Sequence, residues 1–137
     1  MWLHGTEKTS HRSMSYPKNF NQPDTYKGIN WYEGEKDEGG VHTNSGVINF
    51  WFFLVSEGGA GKNDKGDRYF VHPIGQRKAI HICYRALKNY MGPKSDYHDA
   101  REALIQSARD LFGRRSREVR VVARAFHAVG VGRETTE

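Results

Sequence analysis

The sequence predicts a mainly α fold: a helical bundle around a buried central helix, with a long irregular N-terminal strap and a small hairpin. Three observations carry this prediction. Residues 45–56 are apolar almost all round, and three later stretches repeat apolar side chains at helical spacing. Residues 1–36 show neither a helical nor a strand period. With 137 residues the chain suffices for one domain with one core. Within it, 1–44 form an irregular strap and a loop, 45–132 the bundle, and 133–137 a polar tail.

The block at 45–56 contains Val47, Ile48, Phe50, Trp51, Phe52, Phe53, Leu54 and Val55. Periodicity alone fits a buried strand or a buried helix. Asn44 or Ser45 in front as an N-cap, and Glu57-Gly58-Gly59 behind, favour the helix. A helix apolar on every side belongs at the centre of a bundle.

Three amphipathic helices follow. The first spans roughly 76–90, with a stripe of Ala79, Ile80, Cys83, Ala86, Leu87 and Tyr90. The second spans roughly 96–112, with Ala100, Ala103, Leu104, Ala108, Leu111 and Phe112, and ends at Gly113. The third starts at Ser116, carries Val119, Val122, Ala123, Phe126 and Val129, and ends at Gly130. Asp96 and Ser116 suit N-caps, and Pro93 stands where no helix continues.

Before them, 58–75 reads as a loop excursion. Asn63, Asp64 and Asp67 invite a calcium reading, but their spacing departs from an EF-hand loop and no glutamate closes the far end. A hairpin turning at Asp64-Lys65-Gly66, with Tyr69-Phe70-Val71 as a return strand, fits better. The strap scatters Tyr16, Phe20, Tyr26, Trp31 and Tyr32 among Pro17, Pro23 and small polar residues. So long a segment without structure of its own is expected to pack on another surface.

The formal net charge is +5, and the excess lies late, in Arg109, Arg114, Arg115, Arg117, Arg120 and Arg124. Asp110 and Glu118 are interspersed and no nucleic-acid-binding motif is present, so a solvated helix face is expected and no nucleic-acid partner. No stretch approaches the ~20 apolar residues of a membrane span. Met1-Trp2-Leu3-His4-Gly5 has neither the basic start nor the apolar run of a secretory signal. Cys83 is the single cysteine, which excludes an intrachain disulfide and a cysteine-based zinc site and points to a buried, inert thiol. His4, His11, His72, His81, His98 and His127 show no i, i+4 pairing, and a metal site would need three or four convergent ligands.

The stretch with most chemical content is Asp37-Glu38-Gly39-Gly40-Val41-His42-Thr43-Asn44-Ser45-Gly46. Paired glycines let the backbone double back, which brings the Asp37 carboxylate towards one nitrogen of the His42 ring. A carboxylate there fixes the imidazole's tautomer and stabilises its protonated form. The plainer alternative is an ordinary surface or capping histidine.

This stretch, together with Asp24-Thr25-Tyr26-Lys27-Gly28 and Trp31-Tyr32-Glu33-Gly34, closely resembles the thermolysin-like zinc metallopeptidases. The likeness runs from Arg12-Ser13-Met14 through Gly75, Tyr84-Arg85-Ala86-Leu87 and Asp110-Leu111-Phe112-Gly113 to Ala128-Val129-Gly130-Val131-Gly132. It implies the C-terminal helical half of that family's catalytic unit, in a secreted endopeptidase acting on peptide or protein substrates. By the same resemblance His42, protonated, donates to the carbonyl oxygen under attack. Asp37 orients it, and Arg12 binds the carbonyl on the leaving-group side.

The family's His-Glu-x-x-His motif is absent from these 137 residues, which contain no His-Glu pair at all. The resemblance therefore assigns zinc, the general base and the third-ligand glutamate to an upstream N-terminal half. The chain alone is expected to be inactive, with no metal ligands of its own. The resemblance allows calcium in the full-length family, but no calcium site is evident here. Two positions depart from the family pattern. Glu38 replaces a usual asparagine and adds negative charge beside His42, and His11 stands where an apolar residue commonly shapes the pocket for the side chain after the cut. The alternative function is a non-catalytic protein-binding module that keeps the peptidase fold.

Overall fold

In a computed structural model the described residues are 3–4, 12–34 and 45–135. Strands β1 (Leu3–His4) and β2 (Arg12–Ser13) pair antiparallel, with Leu3 opposite Ser13 and His4 opposite Arg12. A 3-10 turn follows at Pro17–Phe20. The strap is thus less irregular than its composition predicts. Pro17, at the start of the turn, has its φ preset by its ring and is buried.

Helix α1 spans Gly46–Glu57. Ser45 stands at its N-cap, as the sequence predicts, but with helical dihedrals and without a capping hydrogen bond from its side chain. Strands β3 (Gly59–Lys62) and β4 (Arg68–Val71) form the expected hairpin, with Gly59 opposite Val71 and Lys62 opposite Arg68. Asn63 closes its tip: the amides of Lys65 and Asp67 donate to its Oδ1 at 3.0 and 3.1 Å. Gly66 supplies the positive φ of +88° that the turn requires.

Helices α2 (Gln76–Asn89), α3 (Tyr97–Phe112) and α4 (Arg117–Ala128) complete the fold. Asp96 and Ser116 cap α3 and α4 as expected. The Asp99 amide donates to Asp96 at 2.8 Å, and the Asp99 carboxylate accepts from the Asp96 amide in return. The Val119 amide donates to Ser116 Oγ at 3.3 Å.

Two helices meet at the centre. On α1, Val47, Trp51, Leu54 and Val55 are buried; on α4, Val119, Val121, Val122, Ala123, Ala125 and Phe126 are buried. Trp51 stacks on Phe126 with centroids 4.9 Å apart, and its indole N–H donates to the Val122 carbonyl at 3.3 Å. The rest of α1 is less enclosed: Ile48, Phe50, Phe52 and Phe53 are only partly buried.

Helix α2 matches its predicted stripe at Ala79 and Ala86 and departs from it elsewhere. Ala79, Ile82 and Ala86 face the core, Cys83 is partly buried, and Ile80, Leu87 and Tyr90 are exposed. The alanines win the buried side because small side chains let α2 pack closely on its neighbours. In α3 the stripe holds at Ala100, Ala103, Leu104 and Ala108, while Leu111 is exposed. Burial pushes the Cys83 thiol up to about 12, which keeps it protonated and inert.

Asp110 on α3 clamps α2. It accepts from Tyr90 Oη, from Arg85 Nε at 2.9 Å and from Gln106 Nε2 at 2.9 Å. These hydrogen bonds, Tyr90's first, hold its carboxyl down at about 2. A carboxyl whose value falls on folding stabilises the fold above its unfolded pKa, near 4. That contribution is lost as pH drops from about 4 to about 2. Asp110→Asn is accordingly expected to flatten the acid limb of a plot of melting temperature against pH. An acid limb unchanged by the substitution would dismiss the clamp.

Candidate active-site loop and its support

Asp37 and His42, singled out from the sequence, fall within residues 35–44, outside the described residues. Glu38 and His11 lie outside them as well. Arg12 is described through its backbone only, in β2, where it pairs with His4. What the structure defines is the frame on either side of the loop: the strap up to Gly34, and α1 from Gly46.

The start of α1 is wedged against the strap. A Cβ on Gly46 would meet the Pro23 carbonyl oxygen, and would come within 2.9 Å of Gln22 Cβ and 3.1 Å of Pro17 Cβ. Only glycine allows so close an approach. Strand β2, which carries Arg12, also lies against α1.

The strap itself is fastened to the hairpin through Asp64. Its carboxylate accepts from Lys18 Nζ at 2.6 Å and from the Ile29 amide at 2.8 Å. Its own amide donates to Thr25 Oγ1 at 3.2 Å, and Thr25 is fully buried. Partial burial alone would lower the Lys18 pKa. The Asp64 hydrogen bond and the charges of Asp24 and Asp64 outweigh it, so the net shift is upward. The surface on which the strap packs is therefore the chain's own. Tyr26 adds edge-on contacts to Trp31, Tyr97 and His98 at 5.0, 5.7 and 5.4 Å, and its amide donates to the Val129 carbonyl at 2.7 Å.

No sequence signal announced this role of Asp64. It read as a turn residue, and its partner Lys18 lies 46 positions away. Asp64→Ala is expected to loosen the strap and cost about 1–2 kcal/mol, the lower end applying because Lys18 is 37% exposed and screened by water. Amide exchange at Ile29 and Gly28 should accelerate with it. Unchanged exchange at those amides would show that the strap holds without Asp64.

His4 and His11 have no described side chains. His98 and His127 line one cleft of about 300 Å³ with Tyr26, Lys65 and Asp67. Among the described residues, no three His, Cys, Asp or Glu side chains come together as a metal-binding group. No helix among them is long and apolar enough to cross a membrane.

The described residues define a helical domain whose central helix begins just after residues 35–44. The model of the thermolysin metallopeptidase alpha-helical domain matches residues 1–131. Over 120 residues, 88% of this chain, the sequence is 45% identical to the thermostable neutral protease NprT of Geobacillus stearothermophilus and to thermolysin of Alicyclobacillus acidocaldarius subsp. acidocaldarius. It is 41% identical to bacillolysin of Bacillus cereus over the same length. The chain spans about a fifth of the length of these relatives (21%, 21% and 20%). It belongs to the thermolysin metallopeptidase family, as that family's α-helical domain.

Proposed function

We propose that this chain is the C-terminal part of the catalytic unit of a secreted zinc endopeptidase, and that it supplies the groups that bind and polarise the substrate. The observation that carries this reading is the family match over residues 1–131, which takes in the whole of the 35–44 loop. Zinc would be held by His-Glu-x-x-His and a glutamate in an upstream half; this chain offers no ligand set for it among the described residues. When bound there, the metal supplies the Lewis acidity that activates water.

The chain's own residues do the rest. His42 donates a hydrogen bond to the scissile carbonyl oxygen as negative charge develops on it. Asp37 fixes the ring and retains its proton. Arg12 holds the neighbouring carbonyl with a permanently charged, forked donor. The glycine-wedged start of α1 and the Asp64 fastening support this reading, because both ends of the loop then spring from fixed points. The partly buried aromatic side chains of α1 give the upstream half an apolar surface to cover.

The test pairs zinc analysis with peptide cleavage. The isolated chain is expected to bind zinc below stoichiometry and to cleave nothing. The intact parent protein should bind one zinc and lose activity to a chelator. Chelator-sensitive turnover by the isolated chain, or an intact parent without zinc, would sink the proposal.

A further inference from the structure

We propose that the outer face of α2 is a docking surface for an acidic, apolar protein segment presented as a helix. Two strips run side by side along that face. Ile80, Tyr84 and Leu87, at i, i+4 and i+7, are 48, 65 and 66% exposed. Beside them run Arg77, His81 and Lys88, with the Lys88 ammonium 5.9 Å from the centre of the Tyr84 ring. Between the strips, Gln76, Arg77, Ile80 and His81 line a depression of about 320 Å³, room for an apolar side chain.

The charge of the face is one-sided. Helix α2 contains no Asp or Glu. Its other two cations are already paired with neighbouring helices at the surface: Lys78 with Glu118 at 2.7 Å and Arg85 with Asp110 at 2.9 Å. Arg77 and Lys88 have no acidic partner among the described residues. Ile80, Tyr84 and Leu87 lie outside the core, whose α2 side is filled by Ala79, Ile82 and Ala86. An apolar strip flanked by unspent positive charge complements a helix with leucine-type anchors and glutamates one turn apart. Tyrosine and arginine are among the side chains enriched at the anchoring points of protein interfaces. The face is small, so the contact is weak and salt-sensitive.

The proposal is tested on the intact protein with a fluorescein-labelled synthetic peptide carrying Leu and Glu at helical spacing, read by anisotropy. Controls are a version with Lys in place of Glu and vesicles of phosphatidylglycerol and phosphatidylcholine. The acidic peptide should bind and the lysine version should not. Tyr84→Ser with Leu87→Ser should weaken binding at least about tenfold. Arg77→Glu with Lys88→Glu should reverse the preference between the two peptides. These side chains point to solvent, so circular dichroism should be unchanged in both variants. Three results would overturn the proposal: binding indifferent to both variants, vesicle binding lost with the same substitutions, or protection of Tyr84 from hydroxyl-radical labelling by the rest of the parent chain.

Discussion

Trp51→Ala is expected to destabilise the domain by about 3–5 kcal/mol. Trp51 is fully buried, stacks on Phe126 and donates its indole N–H to the Val122 carbonyl. The substitution removes the largest fully buried side chain, at the junction of α1 and α4, and surrounding structure relaxes only partially into such a void. Domains of this size are stable by only about 5–15 kcal/mol, so the variant should sit near its folding threshold. Urea denaturation measures the loss directly. Trp51→Phe keeps a ring against Phe126 and should cost less than half as much. A midpoint for the alanine variant within error of the parent's would mean that the α1–α4 junction is not the centre of the core.

His42→Ala in the intact parent protein should lower kcat by about 10²–10³ and leave KM nearly unchanged. The proposed hydrogen bond gains its strength only as charge grows on the carbonyl oxygen, so it favours the transition state over bound substrate. Asp37→Asn should cost less, because under the proposed arrangement the imidazole remains and loses only the carboxylate proposed to retain its proton. Steady-state kinetics on one peptide substrate distinguishes the outcomes. A rise in KM at constant kcat would assign His42 to substrate binding alone, and parent-like kinetics would remove it from the reaction.

Some of this molecule could be read from residues alone because the deciding forces were local. Asp96, Ser116 and Gly113 mark helix ends through hydrogen bonds and dihedrals spanning three or four positions, and Asp64-Lys65-Gly66 marks the hairpin in the same way. The orientation of α2 was only partly legible. Its predicted stripe was right at Ala79 and Ala86, but Ile82 is buried in place of Ile80 and Leu87, a choice that depends on how closely neighbouring helices approach. The Asp64 fastening was hidden for a related reason, since Lys18, Thr25 and Ile29 meet it only after the chain has folded back. Asp37 and His42 were singled out by the paired-glycine turn and by family resemblance, signals that propose a chemistry without fixing its geometry.

The Asn63 side chain ties two distant parts of the chain together. Its Nδ2 donates to the carbonyls of His127 and Ala128 at 3.3 and 3.2 Å, while its Oδ1 closes the hairpin tip. One amide group thus staples the last helical turn to a bend 64 residues upstream. A protease that trims the chain back through α4 would undo that bend as well. Limited digestion from the C-terminal end should therefore produce abrupt collapse instead of a ladder of stable intermediates.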